Sequence, residues 1–214
     1  CRSQEGENFC RFGFVGDKIG AKRVRAKCSK AFDVIHVQDL KACGIESKTS
    51  DKRAWKVCAR VEDALFTYNV LIDGDAIVTS SEVEQLFTVL RPPNSFELAG
   101  VFECCARNYP GKFIEGLAEH HLLHGWEVNT GVLAWRNCEA VHAHARKTIE
   151  ILQVEKITSA EQPYFTLALS RSDVRFLPLP PNFNFRKHTA AGYGDLPYAI
   201  VHARNLKNLG GALN

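Results

Sequence analysis

Methionine is absent from all 214 residues, and the chain opens on Cys1. That is no natural translation start, so the expectation is that an upstream piece has been removed, together with any signal or anchor it carried. Long apolar runs are also missing: no stretch approaches the roughly 20 residues that span a bilayer, which excludes a transmembrane helix within these residues. Charge of either sign is not in large excess. Lys plus Arg number 27 against 24 for Asp plus Glu, a net charge of +3, so no nucleic-acid partner is expected. The basic cluster Lys18, Lys22, Arg23, Arg25, Lys27 and Lys30 reads as a solvated helix face rather than a site for an anionic ligand or a membrane surface.

The cysteines Cys1, Cys10, Cys28, Cys43, Cys58, Cys104, Cys105 and Cys138 include no C-x-x-C pair, so zinc ribbons and dithiol redox centres have poor support. Cys58, set in the apolar "WKVCARV", reads as a buried free thiol. An even cysteine count allows disulfides without arguing for them in a chain of this length. The compartment stays open between the cytoplasm and, if an upstream anchor has been removed, the lumen of the Golgi or endoplasmic reticulum.

What is present suits one globular domain over residues 1–214, with 45% hydrophobic and 24% charged residues. Short β-branched runs alternate with helix-patterned segments, the arrangement that gives an α/β fold of three layers, a mostly parallel sheet between helices. The pattern predicts strands at 11–15, 32–37, 68–72, 98–102, 131–135, 174–177 and 198–202. Helices are expected at 50–61, 80–90, 138–152 and 160–169. Thr49 or Ser50 could cap the first, and Ser80 or Ser81 with Glu84 forms a capping-box pattern for the second. The stretch 178–197, "PLPPNFNFRKHTAAGYGDLP", reads as one long loop of the kind that often forms a binding lid.

The chemistry concentrates in "LIDGDAIVTS", residues 71–80. Asp73 and Asp75 follow an apolar run, so they are expected at the carboxyl end of a buried strand, the edge where ligands bind in open α/β sheets. Alternation along an extended strand would send both side chains to one side, while Gly74 lets a backbone or ligand approach. Two carboxylates held together repel, and an oxygen-binding divalent cation relieves the repulsion. Such a cation can hold a diphosphate. Phosphotransferases of the haloacid dehalogenase type also place D-x-D after a strand. They fit less well, because Ile77 stands where a Thr or Val is usual and "YGDLPYA" lacks the second Asp of a downstream G-D-x-x-x-D run.

Three later segments extend the pattern: "EVNTGVLAWRN" from Glu127, "SAEQPYFTLAL" from Ser159 and "AIVHARNLKN" from Ala199. Together with residues 52–90 they resemble, in order and layout, the nucleotide-sugar glycosyltransferases of the GT-A fold, especially glycosyltransferase family 8. The resemblance runs from about Lys52 to the chain's end. It implies a Rossmann-like, mixed and mostly parallel sheet, here apparently lacking its first strand. It also implies metal-dependent transfer of a sugar from a nucleotide-sugar donor, UDP-sugar favoured, to a glycan, protein or lipid acceptor, with retention of configuration.

Carried over by position, Asp73, Asp75 and His202 match the metal ligands, for manganese or magnesium. Asn129, Thr130 and Gly74 match donor-binding positions, Lys56 the helix cation that meets the nucleotide, and Lys207 the phosphate-binding lysine. Glu161 and Gln162 match the catalytic positions on the donor-sugar face. The G-x-K-P-W ending of the family is missing around Lys207. A second reading from another class is a catalytically silent GT-A-like domain that binds a nucleotide, glycan or protein.

Other features read as structural. His120, His121 and His124 form a surface helix end, His142 and His144 sit on different faces of one helix, and Trp55, Trp126 and Trp135 line the core or a pocket wall.

Overall fold

The computed structural model describes residues 2–4, 7–9, 12–15, 22, 34–37, 54–58, 66–103, 127–155, 161–185 and 198–202. In chain order the strands are β1 (Arg2–Gln4), β2 (Glu7–Phe9), β3 (Phe12–Val15), β4 (Val34–Val37), β5 (Tyr68–Ile72), β6 (Ala76–Val78), β7 (Leu98–Glu103), β8 (Glu127–Arg136), β9 (Phe176–Leu179) and β10 (Ile200–His202). The α-helices are α1 (Ala54–Cys58), α2 (Gln85–Thr88), α3 (Glu139–Glu155) and α4 (Gln162–Ser170). Thr49, Ser50, the histidines at 120–124, Trp126, Lys207 and residues 186–197 lie outside the described residues, as does most of the basic cluster.

The sheet is organised around β8. Its "EVNTGVLAWR" is buried at every position except the last, as a strand covered on both faces must be. β8 runs between β5 and β7, antiparallel to both, and β7 pairs with β9 in parallel, giving the order β5-β8-β7-β9. β3 and β4 form a separate parallel pair. The architecture is α/β with a mixed sheet.

Side chains of alternate direction build two cores. On one face Leu98, Val128, Leu133 and Trp135 pack with Val141 of α3 and Phe165 of α4. On the other, Ala99, Val101, Val132 and Ala134 meet Leu86, Leu90, Phe183 and Ile200. Sealing roughly ten such side chains from water, at about 1.5–3 kcal/mol for each large one, is what holds the layers together. α1 is too short to be stable alone. Buried Val57 and Cys58 hold it against Ala145 and Ile149 of α3, which fixes the position of Lys56.

Several expectations change. The segment 81–88 is a 3-10 turn (Ser81–Glu84) running into α2, and Ser80 caps it by accepting from the Glu82 N–H at 3.0 Å, in place of the capping box with Glu84. The first half of the expected lid is ordered structure: β9 and a 3-10 turn (Pro181–Asn184), with Leu179, Phe183 and Phe185 buried. Paired prolines forbid an α-helix there but suit a strand edge and a tight turn. Cys58 is disulfide-bonded rather than free; an apolar setting excludes water from a disulfide as well as from a thiol, so burial did not distinguish them. Trp135 is a core residue. His144 is buried edge-on against Phe165, while His142 faces Asn137 Oδ1 at 2.6 Å, on a different side of α3. Among the described residues no helix is long and apolar enough to cross a membrane.

Candidate metal centre

β5 ends at Ile72 and the chain turns at once: the N–H of Ala76 donates to the carbonyl of Asp73 at 2.9 Å. Asp73–Gly74–Asp75–Ala76 is therefore a β-turn, not the extended strand from which a common direction for the two carboxylates follows. Gly74 sits in open space, with nothing within 4 Å of where a Cβ would stand. The turn feeds β6, which pairs with β10 so that Ala76 lies opposite His202. That register brings the imidazole to Asp75, with Nδ1 3.6 Å from Oδ1. Ligating atoms of Asp73, Asp75 and His202 all lie within 4.8 Å of one another.

The histidine's tautomer follows from its other neighbour. β10 also bridges Phe185, and the His202 N–H donates to the Phe185 carbonyl at 3.2 Å. Asn184 thus stands beside the ring, and its Oδ1 meets Nε2. An amide oxygen only accepts, so Nε2 donates to it, and in the neutral ring the lone pair on Nδ1 then faces Asp75. Two carboxylates with an imidazole nitrogen so oriented fit a small divalent cation.

β8 supplies the opposite wall through an irregularity. Gly100 of β7 faces Leu133, yet the next residue, Val101, faces Asn129. Thr130, Gly131 and Val132 have no partner on β7, a bulge that re-aims the strand beside Asp73 and His202. Within it, the Asn129 Oδ1 accepts from the Gly131 N–H at 2.8 Å, and the Gly131 carbonyl accepts from the Asp73 N–H at 2.8 Å. A Cβ at Gly131 would stand 2.8 Å from Cε1 of His202 and 2.9 Å from Asn129 Oδ1. Only glycine fits between the two.

Lys56 closes the remaining side. Its Nζ lies 2.6 Å from Asp73 Oδ1 and 3.3 Å from Glu161 Oε1. Glu161 is 2% exposed. Thr130 donates to the same Oε1 at 2.6 Å, so this buried carboxylate is paired with a cation and a hydroxyl. The first turn of α4 is tied to β8 by Thr166, whose hydroxyl accepts from the Val128 N–H and donates to the Gln162 carbonyl, both at 2.9 Å. Gln162 Nε2 reaches Glu127 Oε1 at 3.1 Å and Glu103 Oε2 at 3.5 Å; the Asn129 amide donates to the same Glu103 oxygen at 2.8 Å.

Nine of the ten residues selected from sequence, all but Lys207, are thus described. Eight of them form one polar cluster, and Gly74 stands on the turn between its two aspartates. Glu103, Glu127, Asn184 and the steric role of Gly131 were not anticipated. Glu103 could have been found, since it ends an apolar strand as Asp73 does; Asn184 carried no such signal.

No protein-family model and no curated protein matches the chain's sequence. Its structure is similar to that of mouse xyloside xylosyltransferase 1 in its apo form, at TM-score 0.55 and 14% identity, over 89% of this chain and 82% of that one. It is also similar to the galactosyltransferase LgtC in complex with donor and acceptor sugar analogues, at TM-score 0.53 and 14% identity, over 87% and 72%. A third similarity is to the bifunctional glycosyltransferase WbbM, at 0.54 and 12%, over 87% and 38%. The chain has the fold of the GT-A glycosyltransferases.

Proposed function

We propose that this chain, as a single domain over residues 1–214, is a metal-dependent glycosyltransferase that moves a sugar from a nucleotide-sugar donor, UDP-sugar favoured, to a glycan, protein or lipid acceptor with retention. The observation that carries the reading is the convergence of Asp73, Asp75 and His202, with ligating atoms within 4.8 Å of one another. The GT-A fold supports it, as does the similarity to a xylosyltransferase and a galactosyltransferase.

In the transfer, the bond from the anomeric carbon to the β-phosphate oxygen breaks and that oxygen keeps the electron pair. The acceptor's oxygen bonds the anomeric carbon, and its proton is lost. Asp73, Asp75 and His202 would hold a manganese or magnesium ion, which would supply Lewis acidity for the departing diphosphate. Lys56, beside Asp73, adds positive charge at the same edge, and Lys207 extends it by resemblance. Asn129, Thr130 and Gly74 contribute to donor binding, and Glu161 and Gln162 face the donor sugar. Of the compartments open to the chain, the disulfide at Cys58 favours the oxidising lumen.

One observation favours the second reading, a catalytically silent domain: Lys56 already offers Asp73 a cation at 2.6 Å. Calorimetric titration of the full-length protein with UDP, with and without manganese, separates the two. Binding that requires manganese, followed by donor hydrolysis in a nucleotide-sugar panel, is the expected result. UDP binding that is absent or indifferent to metal sinks the enzyme.

A further inference from the structure

Beside the cation ligands lies a second group of acidic side chains. Glu103 ends β7 and Glu127 begins β8, paired across the sheet in register, and both are buried. Both converge on a single group, the carboxamide nitrogen of Gln162, at 3.5 and 3.1 Å. Glu103 Oε2 also takes the Asn129 amide at 2.8 Å, while the Asn129 oxygen is used within the bulge by the Gly131 N–H.

A carboxamide is nearly symmetric in shape but opposite in polarity at its two ends. Which end faces a ligand is decided by its neighbours. In the structure the NH2 of Gln162 is the end that meets Glu103 and Glu127, which accept from it as carboxylates, so its oxygen points away from those two contacts. Gln162 is half-buried, whereas both carboxylates are buried.

We propose that Glu103 and Glu127 are positioning residues that lock the carboxamide of Gln162 with its oxygen presented to the donor sugar, and that Glu103 ties this orientation to that of Asn129. The inference rests on the reading of Gln162 as a residue of the donor-sugar face. A reversed carboxamide would offer N–H groups to the same sugar atoms and leave one side of the contact unpaired. The pair thereby sets whether this position accepts or donates, which is a determinant of sugar specificity. Glutamine at 103 or 127 keeps size but can donate as well as accept, so E127Q and E103Q release the lock without opening a cavity.

The test uses the intact protein in two ways. In nitrogen–proton correlation spectra, the side-chain amide of Gln162 is identified by its loss in Q162E. The wild-type amide should exchange slowly with solvent, and E127Q and E103Q should each speed exchange by about tenfold or more, as expected for loss of one charge-assisted hydrogen bond. In kinetics with a nucleotide sugar, E127Q should lower kcat about tenfold with donor KM within about twofold, and should add less than about twofold when introduced into Q162A, because coupled residues are non-additive. Unchanged exchange in both variants overturns the proposal, and so does a full E127Q effect in the Q162A background. The exchange measurement decides the positioning role even if no sugar transfer is found, so the two readings fail separately.

Discussion

Gly131 lies so close to His202 that a Cβ added to it would stand 2.8 Å from Cε1 and 2.9 Å from Nε2 of the imidazole. Asn129 Oδ1 is as close, at 2.9 Å, and both side chains are buried. Gly131→Ala should therefore destabilise the protein by about 1–3 kcal/mol, the usual effect of overpacking. Metal-dependent UDP binding should weaken at least as strongly as Asp73–His202 geometry is lost. Urea unfolding with calorimetric titration checks both; an alanine variant that binds as the wild type does would show that the ring is free to move.

Asp75 is the most exposed of the three proposed ligands, with its side chain 46% accessible, so its removal should cost the fold little. Asp75→Asn should leave the unfolding free energy from urea titration within about 0.5 kcal/mol of wild type, as for a surface substitution, and abolish metal-dependent turnover. Retained activity with manganese would refute the ligand role.

Asn184 meets the ring of His202, one of the three proposed ligands. With Asn184→Leu the Nε2 proton loses its acceptor, the Nδ1–H tautomer becomes competitive, and manganese affinity should fall about 10–100-fold. Asn184→Asp, which still accepts, should retain most of it. The comparison is made by titrating manganese into each variant; equal affinities for the leucine and wild-type proteins would remove Asn184 from the site.

Away from the site, Glu97 clamps β7 to the strands beside it. Its Oε1 meets Arg175 at 3.0 Å and Arg136 at 3.2 Å, and its Oε2 accepts from the Arg175 N–H at 3.1 Å. Burial pushes this carboxyl up, but the backbone and side-chain hydrogen bonds of Arg175 and the charges of Arg175 and Arg136 together hold it below its ordinary value of 4.5. A depressed folded-state value means that the stabilisation is present in full above about pH 4.5 and is lost as pH falls through the folded-state value. Glu97→Gln should lower the urea midpoint at pH 7 and flatten its fall on acidification below about 4.5. An unchanged slope would show that Glu97 does not contribute to acid sensitivity.

Local pattern was informative where one segment carried its own answer. The apolar run Tyr68–Ile72 ends as expected, α3 and α4 occupy their predicted stretches within a few residues, and the carboxylates of Asp73 and Asp75 stand at the sheet edge. The reason expected for their convergence was different from the one observed. Alternation along a strand did not supply it; a turn did, because Asp-Gly-Asp favours one over continued extension. β6, three residues between that turn and a capped 3-10 turn, is too short to show any period.

Residue types and their order were thus set by the chain itself: an apolar strand delivering two carboxylates, a glycine inside "VNTG", a glutamate and glutamine opening a helix, a histidine ending a short strand. Tertiary structure decided what these residues meet. The pairing of β6 with β10 brings His202 to Asp75, the bulge in β8 turns Asn129, Thr130 and Gly131 toward them, and packing of α1 on α3 brings Lys56 to Asp73. Hydrophobic periodicity reports which face of one element is buried. Register, bulges and the neighbours of a buried polar group arise from contacts between elements far apart in sequence, where no single segment carries the information.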